Sequence, residues 1–190
     1  MTIESCRLSE LGMDFLTKQL LQFESMTLLK VLFDPNACKR LCFELFCILN
    51  KRKIGCIEFT HWSGRIIRNI SSRQFSFHST RKCSDDELQM ILNQTYVINH
   101  LLEIDIKLIG CSQFRETGFR ALIDFLSVHK YVERLELDLR GCEHEMLKKY
   151  DADLKESLSK YSFLKEVTIR CDYYMIRRVS QLKKWIKIRS

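Results

Sequence analysis

Six short segments in which apolar and polar residues alternate recur along the chain, and their spacing limits what it can fold into. They are Leu29-Lys30-Val31-Leu32-Phe33, Ile57-Glu58-Phe59, Phe75-Ser76-Phe77, Leu102-Glu103-Ile104-Asp105-Ile106, Leu135-Glu136-Leu137-Asp138-Leu139 and Val167-Thr168-Ile169. A period of two is the mark of a strand buried on one face. With Ile3, Val31, Ile57, Phe77, Ile104, Leu137 and Ile169 as markers, successive segments lie 20 to 33 residues apart. Five of the six intervals fall between 26 and 33, which is a repeat and not a coincidence of composition.

Between the strands the apolar period lengthens to about 3.6 residues, that of a helix. Leu8, Leu11, Phe15, Leu16, Leu20 and Phe23 read as one helical stripe, and Leu41, Leu45, Ile48 and Leu49 as another. Leu88, Ile91 and Leu92 continue the series, then Phe119, Leu122, Ile123 and Leu126, then Leu147, Leu154 and Leu158. Ser84-Asp85-Asp86-Glu87 supplies a helix start, with acidic residues at the positive end of the dipole. A strand and one helix cannot bury their apolar faces alone, so the units must stack. The expected architecture is α/β: a curved solenoid over residues 1–190, with parallel strands on the concave face, helices on the convex face, and about six to seven repeats. A doubly wound parallel sheet is the competing arrangement. Its central strands are apolar on both faces, unlike these, and its phosphate-binding glycine loop is not seen after any strand.

Composition agrees with a folded domain. Of 190 residues 46% are hydrophobic and 29% charged, with one proline and six glycines, which excludes collagen-like and Pro-rich or Gly-rich linker organisation. Nine cysteines leave an odd thiol in any disulfide framework. The first residues carry neither a signal-peptide nor a transit-peptide pattern, and the apolar run Leu41–Leu49 is broken by Glu44 and too short to cross a bilayer. A reducing, cytoplasmic setting is expected, with no membrane span. Ile3 follows the initiator so closely that the first strand has no polar cap ahead of it. Self-association through the N-terminal repeat, or membership of a longer parent chain, is the expected consequence.

Unit one, Thr2-Ile3-Glu4-Ser5-Cys6-Arg7-Leu8-Ser9-Glu10-Leu11-Gly12, resembles the leucine-rich repeat of the ribonuclease-inhibitor type. The likeness returns from Leu102 through Cys111 to Gly118 and Leu122, from Leu135 through Cys142, and from Val167 to Cys171. Each copy is degenerate: glycine is missing from several loops and the strand-to-cysteine spacing drifts. The resemblance implies that Cys6, Cys83, Cys111, Cys142 and Cys171 are structural thiols that meet backbone groups in the loop core. It also implies a binding scaffold that uses its strand face. Such repeats form the sensor ends of nucleotide-binding innate-immunity receptors and the recognition ends of F-box adaptors, although neither accompanying domain is visible here. Inhibition of a basic ribonuclease is disfavoured, because the chain carries a net charge of +7.

A search for chemistry returns nothing catalytic, no cofactor site and no metal site. His61, His78, His100, His129 and His144 lack zinc-protease spacing, and no P-loop, nucleophile elbow or CxxC occurs. Asp85-Asp86-Glu87 and Asp151-Ala152-Asp153 fall where helices begin and read as caps. Cys38, Cys42 and Cys47 read as packing. Residues 62–74 are too short for the usual helix and are either a hairpin or an irregular loop. Their three arginines, with His61 and Trp62, offer a contact site.

Alternation turns Glu4, Lys30, Glu58, Ser76, His78, Asp105, Lys107, Glu136, Asp138, Thr168 and Arg170 onto one polar strand face. The expected function is therefore a non-enzymatic protein–protein interaction module. Its partner-binding residues are Asp105, Lys107, Glu136, Asp138, Thr168 and Arg170, and its partner is a protein of unknown identity. From Arg170 to Ser190 seven basic residues face one acidic residue, Asp172, with Tyr173, Tyr174 and Trp185 interleaved. This C-terminal basic helix, 173–188, reads as a cap over the last repeat. Its alternative reading is a binder of nucleic acid or an anionic surface, with nucleic acid the disfavoured partner.

Overall fold

The computed structural model describes residues 1–6, 10–22, 26–33, 45, 48–49, 54–61, 64–80, 83–95, 100–142 and 144–187. Leu8, Phe23, Cys38, Leu41, Cys42, Cys47 and Trp62 lie outside the described residues, as do the side chains of Glu4, Cys6, His61 and His144.

The chain is α/β. Among the described residues nine strands form one sheet whose spatial order is the order of the chain: β1 Thr2–Cys6, β2 Met26–Phe33, β3 Ile54–His61, β4 Gly64–Asn69, β5 Gln74–Thr80, β6 Glu103–Ile109, β7 Arg134–Asp138, β8 Glu166–Arg170 and β9 Met175–Ile176. Pairing is parallel from β1 to β3 and from β5 to β8. Among the described residues six helices accompany it: α1 Glu10–Leu21, α2 Asp85–Thr95, α3 Glu116–Val128, α4 His144–Lys149, α5 Asp151–Ser159 and α6 Val179–Lys187. Parallel crossovers are right-handed, so strands added always on the same side send their helices to one face of the sheet.

That face holds the core. A single row crosses all nine strands: Ile3, Val31, Phe59, Ile66, Phe77, Ile106, Leu137, Ile169 and Ile176. From Val31 onward every member is buried. The repeat markers slip by two residues at Ile57 and Ile104, which pair with Leu29 and Leu135, yet keep the predicted face. Leu88, Leu92, Phe119, Leu122, Phe125, Leu126, Leu154 and Leu158 close over this face from the helices.

Of residues 62–74, the described part, 64–74, favours the hairpin. β4 runs antiparallel to both β3 and β5, so a strand replaces the helix as the return path. At its start Gly64 is required, because a Cβ there would lie 2.3 Å from the His78 carbonyl oxygen. At its end Asn69 Oδ1 accepts the Ser72 amide at 3.1 Å, and Arg73 takes a left-handed φ of 53°. The three arginines do not form one contact site: Arg65 lies on the polar face, Arg73 in the turn, and Arg68 in the core beside Ile57 and Phe75.

Two helix expectations change. Leu11 and Phe15 are 83% and 65% exposed. At about 100° per residue they lie roughly 100–180° around α1 from Leu16 and Leu20, so the apparent single stripe is two, and only the second packs. The predicted helix through Leu147, Leu154 and Leu158 is broken at Tyr150 into α4 and α5, and the C-terminal helix begins at Val179 after the short strand β9.

The helix start at Ser84 behaves as the sequence indicates, whereas at Tyr150, where α5 begins, no side chain caps the helix and Asp151 pairs with Lys155 instead. Ser84 and Glu87 form a reciprocal capping box, Glu87 N–H to Ser84 Oγ at 3.4 Å and Ser84 N–H to Glu87 Oε2 at 3.1 Å. Asp85 reaches across to accept the Arg115 amide at 2.6 Å, where α3 begins. Gly118 leaves room for it: a Cβ there would stand 2.5 Å from Asp85 Oδ1 and 2.6 Å from the Phe114 ring.

Candidate functional site

The face of the sheet opposite the core presents two parallel rows of polar residues. One runs Lys30, Glu58, Ile67, Ser76, Asp105, Glu136, Thr168, and the other Thr60, Arg65, His78, Lys107, Asp138, Arg170, Met175. Strand spacing of about 4.8 Å brings each side chain within reach of its lateral neighbours. All six residues predicted to contact a partner therefore lie together, across β6, β7 and β8.

Opposite charges interlock along these rows. Glu58 accepts Lys30 at 3.2 Å and Arg65 at 2.7 Å. Asp105 Oδ2 meets His78 Nε2 at 2.6 Å and Lys107 at 3.3 Å, and Lys107 also reaches Glu136 at 3.4 Å. Glu136 in turn accepts Arg170 at 2.5 Å, and Arg170 lies 3.6 Å from Asp138. The predicted polar face is thus an alternating lattice, with Glu58, Asp105, Glu136 and Asp138 each held by a cation. Burial pushes the Asp105 carboxyl up, but its bonds and charge contacts to His78 and Lys107 outweigh that and leave it below the usual value.

Asp138 departs from its predicted role. Its residue is 1% exposed, so it cannot itself touch a partner. Arg140 grips it through Nε at 2.8 Å and Nη2 at 2.7 Å, a bidentate pair, while remaining half-exposed. Burial raises the Asp138 carboxyl and the Arg140 bonds more than reverse this, leaving it lowered. Asp138 is a positioning residue and Arg140 is what it presents. Arg140 was legible: it continues the alternation of Glu136 and Asp138 by two residues. Arg65, expected at a contact site of its own, instead joins this face, and Ile67 was missed, although Ile66-Ile67 between turn formers is a strand signal.

Ser76, His78 and Asp105 adjoin one another but do not make a nucleophilic relay. Ser76 Oγ, at 3.1 Å, and Asp105 Oδ2 meet the same ring nitrogen, Nε2, and Ser76 is buried. A relay needs the two on opposite nitrogens. Among the described residues no group of His, Cys, Asp and Glu side chains gathers that could hold a metal ion.

At the tops of the strands the cysteines form a ladder. Cys83, Cys111, Cys142 and Cys171 are buried free thiols. Cys142 Sγ donates to the Leu108 carbonyl of the preceding strand at 2.9 Å, and Cys111 lies 3.7 Å from Ser79 Oγ. Burial is the chief cause that pushes the Cys142 thiol up to about 12 and Cys171 up to about 11. Gly110 and Gly141, at φ 67° and 70°, let adjacent loops stack, with a Gly141 Cβ only 3.0 Å from Gly110 Cα.

The C-terminal segment seals the end of the sheet. Leu182 is buried, Trp185 packs on Tyr174 at 5.1 Å, and Lys155 lies 4.7 Å over the Trp185 ring while paired to Asp151. No helix among the described residues is long and apolar enough to cross a membrane. No protein-family model, no curated protein and no solved structure matches this chain.

Proposed function

We propose that the chain is a non-enzymatic protein-interaction module of leucine-rich-repeat character. Its sheet curves into a solenoid, and its charged strand face, centred on Asp105, Lys107, Glu136, Thr168, Arg140 and Arg170, receives a protein partner in a reducing, cytoplasmic setting. The observation that supports this is the lattice itself: an uncovered sheet face whose charges are fixed by their neighbours before any partner arrives. Side chains already ordered lose less freedom on binding, and alternating signs select a partner surface of complementary pattern. The buried thiol ladder supports the repeat likeness, since it satisfies loop backbone in successive units.

The test is affinity capture from native lysate with three proteins: wild type, the sheet-face variant Lys107→Glu/Glu136→Lys, and the helix-surface variant Glu156→Lys. A protein retained by wild type and by Glu156→Lys, and lost with the double variant, agrees with the proposal. Equal loss from both variants overturns it.

A further inference from the structure

The end of the molecule beyond β9 differs in kind from the sheet face. There, Lys30, Arg65, Lys107, Arg140 and Arg170 all meet carboxylates. Arg177, Arg178, Lys183 and Lys184 are exposed, and among the described residues none of the four meets one. Lys187, a turn beyond Lys183, is a fifth exposed charge. Asp172 is the one carboxylate between residues 170 and 187, and both its oxygens lie 3.1 Å from the Gly141 amide. The four cations Arg177, Arg178, Lys183 and Lys184, on and just before one short helix, repel each other, a cost that a polyanion removes.

Two observations narrow the polyanion. Helices that bind membrane surfaces do so by burying their apolar face among the headgroups. In α6 that face is already committed, with Leu182 buried and Val179, Trp185 and Ile186 packed against the core. Close to the cations in sequence, Tyr173 and Met175 are 41% and 47% exposed, an aromatic ring and an apolar chain. We propose that this end binds single-stranded nucleic acid, with phosphates on Arg177, Arg178, Lys183 and Lys184 and a base stacked on Tyr173. Met175 ends the second sheet-face row beside Arg170, but the four cations lie outside the charge lattice, and the proposal stands or falls without it.

Anisotropy of a labelled oligothymidylate, followed against salt concentration, tests this. Wild type should bind with a slope of log affinity on log salt of about −3, the value for roughly four neutralised phosphates on a single strand. The variant Arg177→Gln/Arg178→Gln/Lys183→Gln/Lys184→Gln should lose at least about tenfold and flatten the slope. Tyr173→Ala should weaken binding by about tenfold with the slope unchanged. Circular dichroism should be the same for all three, because every altered position is exposed. Absence of binding at low salt, or binding indifferent to the quadruple substitution, overturns the proposal. So does tighter binding to phosphatidylserine vesicles than to the oligonucleotide. Tyr173→Ala without effect, together with equal affinity for a duplex, overturns the single-strand assignment. Lys107→Glu/Glu136→Lys, which tests the sheet face, should leave oligonucleotide binding intact.

Discussion

Arg140 holds Asp138 by two hydrogen bonds of 2.7 and 2.8 Å, one to each oxygen of a carboxylate that is almost wholly buried. The guanidinium stands half in solvent, so one member of the pair is fixed by the protein and the other is displayed. Asp138→Asn should therefore lower stability by about 1.5–3 kcal/mol, the range for hydrogen bonds to charged groups. Arg140→Ala should also destabilise, though less, because the carboxylate keeps the residue 140 amide and Arg170 at 3.6 Å. Urea unfolding of both variants checks this, and a loss below about 0.5 kcal/mol for both would show that solvent replaces the pair.

Stability should fall in acid in two stages. Burial, with the charge of His100 adding to it, lowers the His129 imidazole to about 4, against about 6.5 in an unfolded chain. The unfolded state then binds the extra proton, so stability is complete above about pH 6.5 and declines as the pH falls toward 4, by up to about 3 kcal/mol. Asp105 and Asp138, both lowered, add a second decline below about pH 4. Unfolding free energies of His129→Leu should be flat between pH 6.5 and 4.5, and an unchanged slope would remove His129 from the account.

The thiols should be silent until the chain opens. Cys83, Cys111, Cys142 and Cys171 are buried and burial raises the first, third and fourth, so little thiolate forms near neutrality. Their reaction with a disulfide reagent should follow the unfolding rate, and Cys142→Ala should cost about 1 kcal/mol for the lost bond to Leu108. Several disulfides in the intact mass would overturn the reducing-compartment proposal.

Gly118→Ala sets two effects against each other. Alanine gains up to about 1 kcal/mol over glycine in a helix interior. Here its Cβ would stand 2.5 Å from Asp85 Oδ1 and 2.6 Å from the Phe114 ring, and overpacking costs about 1–3 kcal/mol. Clash wins, and the thermal midpoint should fall. A rise would mean that Asp85 gives way freely.

Arg68 is fully buried in a row otherwise made of apolar residues, with Nη2 lying 3.5 Å from the Ile54 carbonyl, and burial lowers it to about 10. Arg68→Met, similar in volume and uncharged, should be neutral or stabilising in thermal melts, whereas Arg68→Ala should lose about 2–5 kcal/mol through the cavity it leaves.

What could be read from the sequence was what obeys a period. The strand face of Asp105 through Arg170, the capping box at Ser84 and the cysteine positions all follow from alternation or spacing, and the structure places them accordingly. Departures came where one period imitated another. In α1 two stripes read as one because apolar residues at adjacent turns look continuous in a linear sequence. In β4 the alternation is masked, since Arg68 occupies a core position and Ile67 a polar-face one. Burial of Asp138 was not legible, because it depends on Arg140 and on Arg170 from the next strand.

Replacement of a helix by β4 has a consequence for cooperativity. From β5 onward a unit is coupled to its neighbour twice, through the sheet and through packed helices such as α2 on α3 and α3 on α5. Across β3, β4 and β5 the direct links among the described residues are ladder hydrogen bonds and the row Phe59, Ile66, Phe77. In a linear array, stability is a sum of unit terms and nearest-neighbour terms, and a boundary with a smaller neighbour term is where partial unfolding stops. The segment from β5 to α6 is thereby set up to survive as one block after the units before β4 have opened.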